Sequence, residues 1–233
     1  MQLSVKYYLN AFNHLLFPHC CAICGADYIQ LHDFLCVKCI HQLPLTRFLN
    51  LPDNPVEKIF AGRIKIHAAG AQYHFTKQSM MQHLLVLLKY KNNKASGLFL
   101  GNQLGHALST ADRFQSVDYI VPLPLHPKKE YIRGYNQATI IGEGIQQVWN
   151  KPLLKHCIIR LINTVTQTHE NRSTRWQNME GIFHVTQPEL LRNKHVLLID
   201  DVVTTGASLE ACGAAILQIP GTTLSIASVA YTI

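Results

Sequence analysis

Two adjacent carboxylates, Asp200 and Asp201, and the small hydroxyl-bearing residues after them carry the most specific chemistry in the chain. Residues 196–199 (Val-Leu-Leu-Ile) form a short continuous apolar run, the pattern of a central parallel strand buried on both faces. The acid pair stands at the end of that run. Val202 and Val203 follow, then Thr204, Thr205, Gly206, Ala207 and Ser208, and then a helical pattern. A turn of small residues that opens a helix gathers backbone N–H groups, hydroxyls and the positive end of the helix dipole around one point, which suits a phosphate monoester. Carboxylates facing that phosphate would repel it. Adjacent strand residues point to different sides, so the pair can stand aside and accept hydrogen bonds from hydroxyls. A ribose 5-phosphate meets both demands, with its phosphate in the turn and its vicinal hydroxyls on the carboxylates. An ordinary helix cap by Thr205 or Ser208 would explain the hydroxyls, but not two acids beside a buried strand.

Residues 118–125 repeat the design: a short apolar strand pattern, broken by Pro122 and Pro124. His126, Lys128, Lys129, Arg133 and Gly134 then read as a basic loop. A helix follows through Trp149, with Ile140, Ile141, Ile145 and Val148 inward. Two strand–loop–helix units opening at one sheet edge make a ligand site. Arg133 can fork onto phosphate oxygens and Gly134 lets the backbone approach, so this loop is placed for pyrophosphate; a solvated basic loop is the plain alternative.

The elements that must position these residues are legible around them. Residues 70–75 alternate weakly as a strand. Residues 77–92 read as a helix with Met80, Met81, Leu84, Leu87 and Leu88 on one face. It closes on Lys89, Tyr90 and Lys91, as suits a helix C-terminus. Residues 95–111 read as a second helix and 153–160 as a strand. A polar stretch follows, carrying Asn163, Thr164, Thr166, Gln167, Thr168, His169, Arg172, Arg175, Gln177 and Asn178. It reads either as a mobile lid that orders over a polyanion or as a surface helix with a basic face. Residues 182–185 and 225–231 resume strand patterns.

Five of the seven cysteines lie between residues 20 and 39. Cys21-x2-Cys24 and Cys36-x2-Cys39 are paired knuckles, the spacing of a tetrahedral thiolate zinc site. Cys20 could replace Cys21 with a three-residue spacing; the two-residue spacing favours Cys21. Gly25 suits the turn after the first knuckle. A closed four-thiolate site is structural, contributing about 10–16 kcal/mol of folding energy in small zinc domains. Clustered cysteines argue for metal over disulfides, and so for a reducing compartment.

The 233 residues are 48% hydrophobic and 15% charged, enough for one α/β domain and a small module. We expect residues 1–50 to form an amphipathic helix plus the cysteine module, and residues 51–233 the larger domain. The prolines from Pro44 onward read as the linker between them. The first seventeen residues lack a basic n-region and a cleavage site, so they read as a helix with Leu3, Tyr7, Phe12, Leu15 and Leu16 near one face rather than a signal peptide. No apolar run reaches a membrane span. The net charge of +7 favours polyanionic partners, whether a polyphosphate or a nucleic acid.

Residues 196–208 resemble the phosphoribosyl-pyrophosphate (PRPP) signature of type I phosphoribosyltransferases, with Ser208 where that family often has Thr. The wider chain resembles the ComF family (ComFC and GntX-like proteins). The likeness includes the cysteine module after Leu-Leu-Phe-Pro, Lys89-Tyr90, Val121-Pro122-Leu123-Pro124, and Arg133-Gly134-Tyr135-Asn136-Gln137-Ala138. It continues through Arg160, Thr164, Gln167, Arg175, Asn178, Gly181 and Phe183 into the signature. The resemblance implies a type I phosphoribosyltransferase-like α/β fold, a parallel sheet flanked by helices, with a small N-terminal four-cysteine zinc-ribbon module. It implies structural zinc, and magnesium arriving with PRPP. Asp200 and Asp201 would be catalytic if the protein is active. Thr204 to Ser208, Arg133 and Gly134 would hold PRPP, with Lys89, Arg160, Gln167 and Arg175 as lid or anion contacts. It further implies a cytoplasmic role in natural competence, handling incoming single-stranded DNA alongside a helicase and recombination proteins. Tyr131 and Tyr135 would then stack bases. The alternative is a working phosphoribosyltransferase of nucleotide metabolism, for which no acceptor pocket is evident in the sequence.

Overall fold

The computed structural model describes residues 19–27, 29–30, 33–161 and 181–232. The chain divides into two compact units, Met1–Leu43 and Pro44–Ile233.

Among the described residues of the first unit, helix α1 (Val37–His41) starts directly after Cys36 and carries Cys39 on its buried side. The N-terminal helix expected over the first seventeen residues lies outside the described residues.

The second unit is built on a parallel four-stranded sheet. Its prolines do not form a free linker: Leu45 bridges to Tyr73 and Thr46 N–H donates to the Gln72 carbonyl. Helix α2 (Pro55–Phe60) follows. Its cap, Asn54, is buried because it does two jobs. The side-chain oxygen accepts from Val56 and Glu57 N–H, and the amide donates to the carbonyls of Leu51 and Ala69. Strand β1 (Ala68–Phe75) leads to α3 (Met80–Tyr90), capped by Ser79, and α4 (Lys94–Thr110), capped by Asn93. Next come β2 (Tyr119–Pro122), α5 (Pro127–Arg133) and α6 (Gln137–Val148). The expected basic loop is therefore a short helix, started by Pro127 and capped by the His126 side chain.

Only Ile158–Arg160 of the strand expected over 153–160 forms one, β3; it pairs antiparallel with β4 (Phe183–Val185). Leu153 is drawn instead into an isolated bridge to Ile120. The polar stretch with Gln167 and Arg175 lies outside the described residues. Helix α7 (Pro188–Leu191), β5 (His195–Val203), α8 (Ala207–Leu217) and β6 (Thr223–Thr232) complete the unit.

The sheet order is β1-β6-β5-β2, all parallel, so β5 is an interior strand as its unbroken apolar run requires. Period-two alternation places Ala69, Ala71, Val196, Leu198, Leu224 and Ile226 in one core with Leu209, Cys212 and Ile216 of α8. On the opposite face α6 packs against β5 and β2, and α4 against β1 and β6. At the outer edge of β2, Ile120 N–H donates to the Pro152 carbonyl, while Leu123 N–H turns inward to the Ile199 carbonyl.

Helices α4 and α6 meet through glycines. Gly97, Gly101 and Gly105, spaced four apart, lie on one stripe of α4. A Cβ at Gly101 would overlap the Ile141 carbonyl and sit 2.9 Å from the Gly144 Cα. The close approach therefore depends on missing side chains. Gly101→Ala should cost about 1–3 kcal/mol, read as a melting temperature lower by roughly 2–12 °C for a unit of this size.

His195 opens β5 in a polar pocket, between Ser116 Oγ on Nδ1 (2.9 Å) and Ser225 Oγ on Nε2 (2.8 Å). Burial lowers its pKa to about 4; the nearby His67 and Lys151 add to this, against Asp118 and Ser116. The unfolded chain then takes up a proton on this ring near pH 6.5 and the folded one near 4. Stability from this group is present above 6.5 and is lost as pH falls towards 4. His195→Gln should flatten that part of the acid limb in melting curves; an unchanged profile would place the proton uptake elsewhere.

Candidate functional site

Strand β5 runs past the acid pair to Val203, so the carboxylates sit within the strand rather than at its end. What changes at that level is the neighbour. Pairing with β2 reaches Pro122↔Ile199, while pairing with β6 continues to Val203↔Tyr231. Asp200 and Asp201 thus stand where one side of the interior strand becomes uncovered, which is how a crevice forms at the carboxyl edge of an open sheet.

The two acids take different partners. Asp201 is buried, and its Oδ2 lies 2.7 Å from Lys89 Nζ at the end of α3. Asp200 Oδ1 accepts the Asp201 N–H at 2.8 Å. Burial first, and then the Asp201 charge, push the Asp200 carboxyl up to about 8; the Asp201 N–H and Lys89 pull the other way. Burial also raises the Cys212 thiol on α8, and the charges of Cys157 and Asp200 add to that; Arg160 opposes it. The Arg160 guanidinium lies 5.5 Å from the Phe183 ring centroid.

The turn after β5 leaves Thr204, Thr205 and Ser208 at least partly open to solvent and Gly206 buried. Gly206 is the N-cap of α8 with φ 72°, and no side-chain hydroxyl caps that helix. Thr205 Oγ1 reaches the Ala207 N–H only at 3.5 Å. Ordinary capping by a hydroxyl is thus limited to this one long bond. Beyond that bond, the N–H groups that open this eleven-residue helix lie beside three hydroxyls, an arrangement able to hold a phosphate.

Arg63 belongs to this site and was not read from the sequence. Its Nη1 donates to the carbonyls of Ile59 (3.1 Å) and Thr205 (3.0 Å), and its Nη2 pairs with Glu210 in the first turn of α8. A Cβ at Gly206 would press on Ile59 and Phe60, 2.6 and 2.9 Å away. The segment after α2 is thus a buttress behind the turn, with Gly206 fitted against it. A lone Arg between two ordinary elements gives no local signal; only the pairing across the fold identifies it.

Arg133 and Gly134 end α5. Gly134 (φ 76°) is the left-handed C-cap whose N–H returns to the Glu130 carbonyl at 2.7 Å, so its conformational freedom closes a helix. Arg133 lies over the Tyr90 ring, 5.5 Å from the centroid. Lys89, Tyr90, Asn92, Lys129, Ile132 and Arg133 line one groove of about 380 Å³. Tyr135 contradicts its expected stacking role. It is only 7% exposed, and its hydroxyl donates to the Leu88 carbonyl, tying the start of α6 to α3.

In the first unit the sulfurs of Cys21, Cys24, Cys36 and Cys39 all lie within 4.8 Å of one another. A tetrahedral site with Zn–S bonds of about 2.3 Å puts sulfurs about 3.8 Å apart; Cys24 and Cys36 Sγ are 3.7 Å apart. The Cys36 N–H points at Cys21 Sγ from 3.3 Å. Burial raises the Cys21 thiol, but N–H donors from Cys24, Cys36 and Ile23 outweigh it and bring it to about 6. Four clustered sulfurs with aimed N–H groups fit zinc. Cys20 is exposed and outside the cluster, which resolves the spacing ambiguity in favour of Cys21. Cys21→Ser should lower bound zinc per chain, measured by elemental analysis of purified protein, while Cys20→Ser should leave one equivalent; the reverse pattern would reassign the ligand.

Among the described residues no helix is long and apolar enough to cross a membrane. No family model matches the chain. Competence protein F of Haemophilus influenzae is 32% identical over 195 residues, 83% of this chain and 76% of that protein. Competence protein ComFC of Bacillus subtilis is 30% identical over 99 residues, 42% of this chain and 38% of its own length. DNA utilization protein YhgH of Escherichia coli K12 is 26% identical over 113 residues, 48% of each. Among solved structures, the glutamine PRPP amidotransferase of B. subtilis complexed with ADP and GMP overlays 57% of this chain and 26% of its own, at 13% identity and a TM-score of 0.41. With about a third of the aligned residues identical across three quarters of competence protein F, the chain belongs to the ComF family.

Proposed function

We propose that this protein binds PRPP with magnesium at the β5–α8 turn and serves natural competence in the cytoplasm, assisting the uptake and handling of transforming single-stranded DNA. The observation that carries the ligand is the uncapped, hydroxyl-lined helix start directly after a split carboxylate pair. In this reading the 5-phosphate sits on the N–H groups of Ala207 and Ser208 and the hydroxyls of Thr204, Thr205 and Ser208. The ribose hydroxyls meet Asp200 and Asp201. Arg133 and Lys89 serve the pyrophosphate, with Arg160, Gln167 and Arg175 as further anion contacts. Magnesium arrives on the ligand and keeps most of its waters. The DNA role rests on the relatives, named competence and DNA utilization proteins. A competence helicase and recombination proteins are the partners this role would require.

The intact acid pair also supports a second reading, a working phosphoribosyltransferase. There an acceptor would bond to the ribose C1 as the C1–oxygen bond breaks and pyrophosphate leaves, with the carboxylates stabilising the positive charge that develops on the ribose. Release of pyrophosphate with a trial acceptor, lost in Asp200→Asn/Asp201→Asn, would establish it.

PRPP with magnesium at a hundredfold over Kd should stabilise the zinc-loaded protein by about 2.7 kcal/mol. Arg63→Met, which frees the turn from its buttress, should reduce that shift more than it lowers the ligand-free melting temperature. Asp200→Asn/Asp201→Asn, folded and zinc-loaded, should abolish transformation in a competent host. Absence of any shift at millimolar PRPP would remove the ligand assignment.

A further inference from the structure

The groove between the end of α3 and α5 is lined by cations and rimmed by large planar and apolar side chains. Lys89, Lys129 and Arg133 line it together with Tyr90, Asn92 and Ile132; no carboxylate does, and the exposed Glu130 of α5 is not part of its wall. Of the lining residues Tyr90 is 69% exposed and Ile132 81%; Tyr131, which precedes Ile132 on α5 and lies outside the groove wall, is 91% exposed. Such exposure of large side chains on a short stretch of surface marks a contact face rather than a core. A free pyrophosphate would use the cations and gain nothing from the rings. An extended chain of phosphates with unpaired bases uses both, the backbone on the cations and the bases on the aromatic faces. A duplex hides its base faces, so the pattern selects a single strand.

Two of the lining residues have a second attachment. Lys89 Nζ holds Asp201 at 2.7 Å, and Arg133 rests on Tyr90 at the groove's wall. The groove and the carboxylate crevice thus meet at Lys89, which cannot neutralise a strand phosphate and a ligand of the crevice at once.

We propose that this groove seats single-stranded nucleic acid and that a strand seated there competes with PRPP for Lys89 and Arg133, each ligand weakening the other. The competition rests on the PRPP reading; the location of the strand does not. By linkage the two effects are equal in free energy. A strand therefore favours release of the phosphoribosyl ligand, and a PRPP-loaded protein holds strands loosely.

The test is fluorescence anisotropy of labelled oligothymidylate of about 20 nucleotides on the full zinc-loaded protein. Tyr90→Ala/Tyr131→Ala should weaken binding at least about tenfold, as loss of base stacking does, and Lys129→Gln should lower the salt dependence of the affinity. Tyr131→Ala alone should leave the PRPP melting shift unchanged. Saturating PRPP with magnesium, at matched ionic strength and free magnesium, should raise the strand Kd by about fivefold or more. Unchanged strand affinity in the double variant, or equal affinity for duplex, would overturn the groove assignment. Simultaneous binding without mutual effect would overturn the competition while leaving both ligands in place. No PRPP shift in the wild type would remove the competition together with the PRPP reading, and the tyrosine variants would still decide where the strand lies.

Discussion

Two neighbouring carboxylates on an interior strand repel each other and resist burial, and the second unit is arranged around that difficulty. A paired strand on both sides would have sealed them into the sheet. Instead β2 turns away after Leu123, and the acids open on a crevice. Asp201 is satisfied by Lys89, which the C-terminal end of α3 delivers. Asp200 takes the backbone N–H beside it and shares less of the negative charge. Each nearby element has a part in this. The glycine seam lets α4 and α6 lie close, and the Tyr135 hydroxyl fastens α6 to the end of α3, next to Lys89. The position of one ammonium group thus depends on packing across three helices.

The phosphate-type turn is held by a different device. A turn with no side-chain cap is free to receive a ligand, but for the same reason it lacks local support. Arg63 and the back of α2 provide that support from outside the motif. This division of labour fixes the backbone of the turn from behind and commits its hydroxyls only to one long bond, from Thr205 to the Ala207 N–H.

Much of this was legible in the residues. The apolar run of β5 fixed an interior parallel strand, the knuckle spacing fixed the four sulfurs, and the helical stripes of α3 and α4 came within a few residues of their observed bounds. The misreadings share a cause: they depend on what another element offers. Tyr135 looked like a stacking residue until the Leu88 carbonyl gave its hydroxyl a buried partner. Leu153 left its expected strand for Ile120. The basic loop closed into α5 because a proline start and a glycine stop bracket barely two turns. Arg63 had no signal at all, since its importance lies in a partner 142 positions away.

The inward hydrogen bond of Leu123 and the outward one of Ile120 set the alternation along β2, so Pro122 and Pro124 stand on its outward side. Neither has an N–H to offer. Beyond the Ile120–Leu153 bridge, the margin of the sheet is therefore blunted where another extended chain would otherwise zip onto it. Any extended chain that meets this margin finds no backbone donor at these two positions. The exposed rim can be touched through side chains without the sheet becoming a template for aggregation.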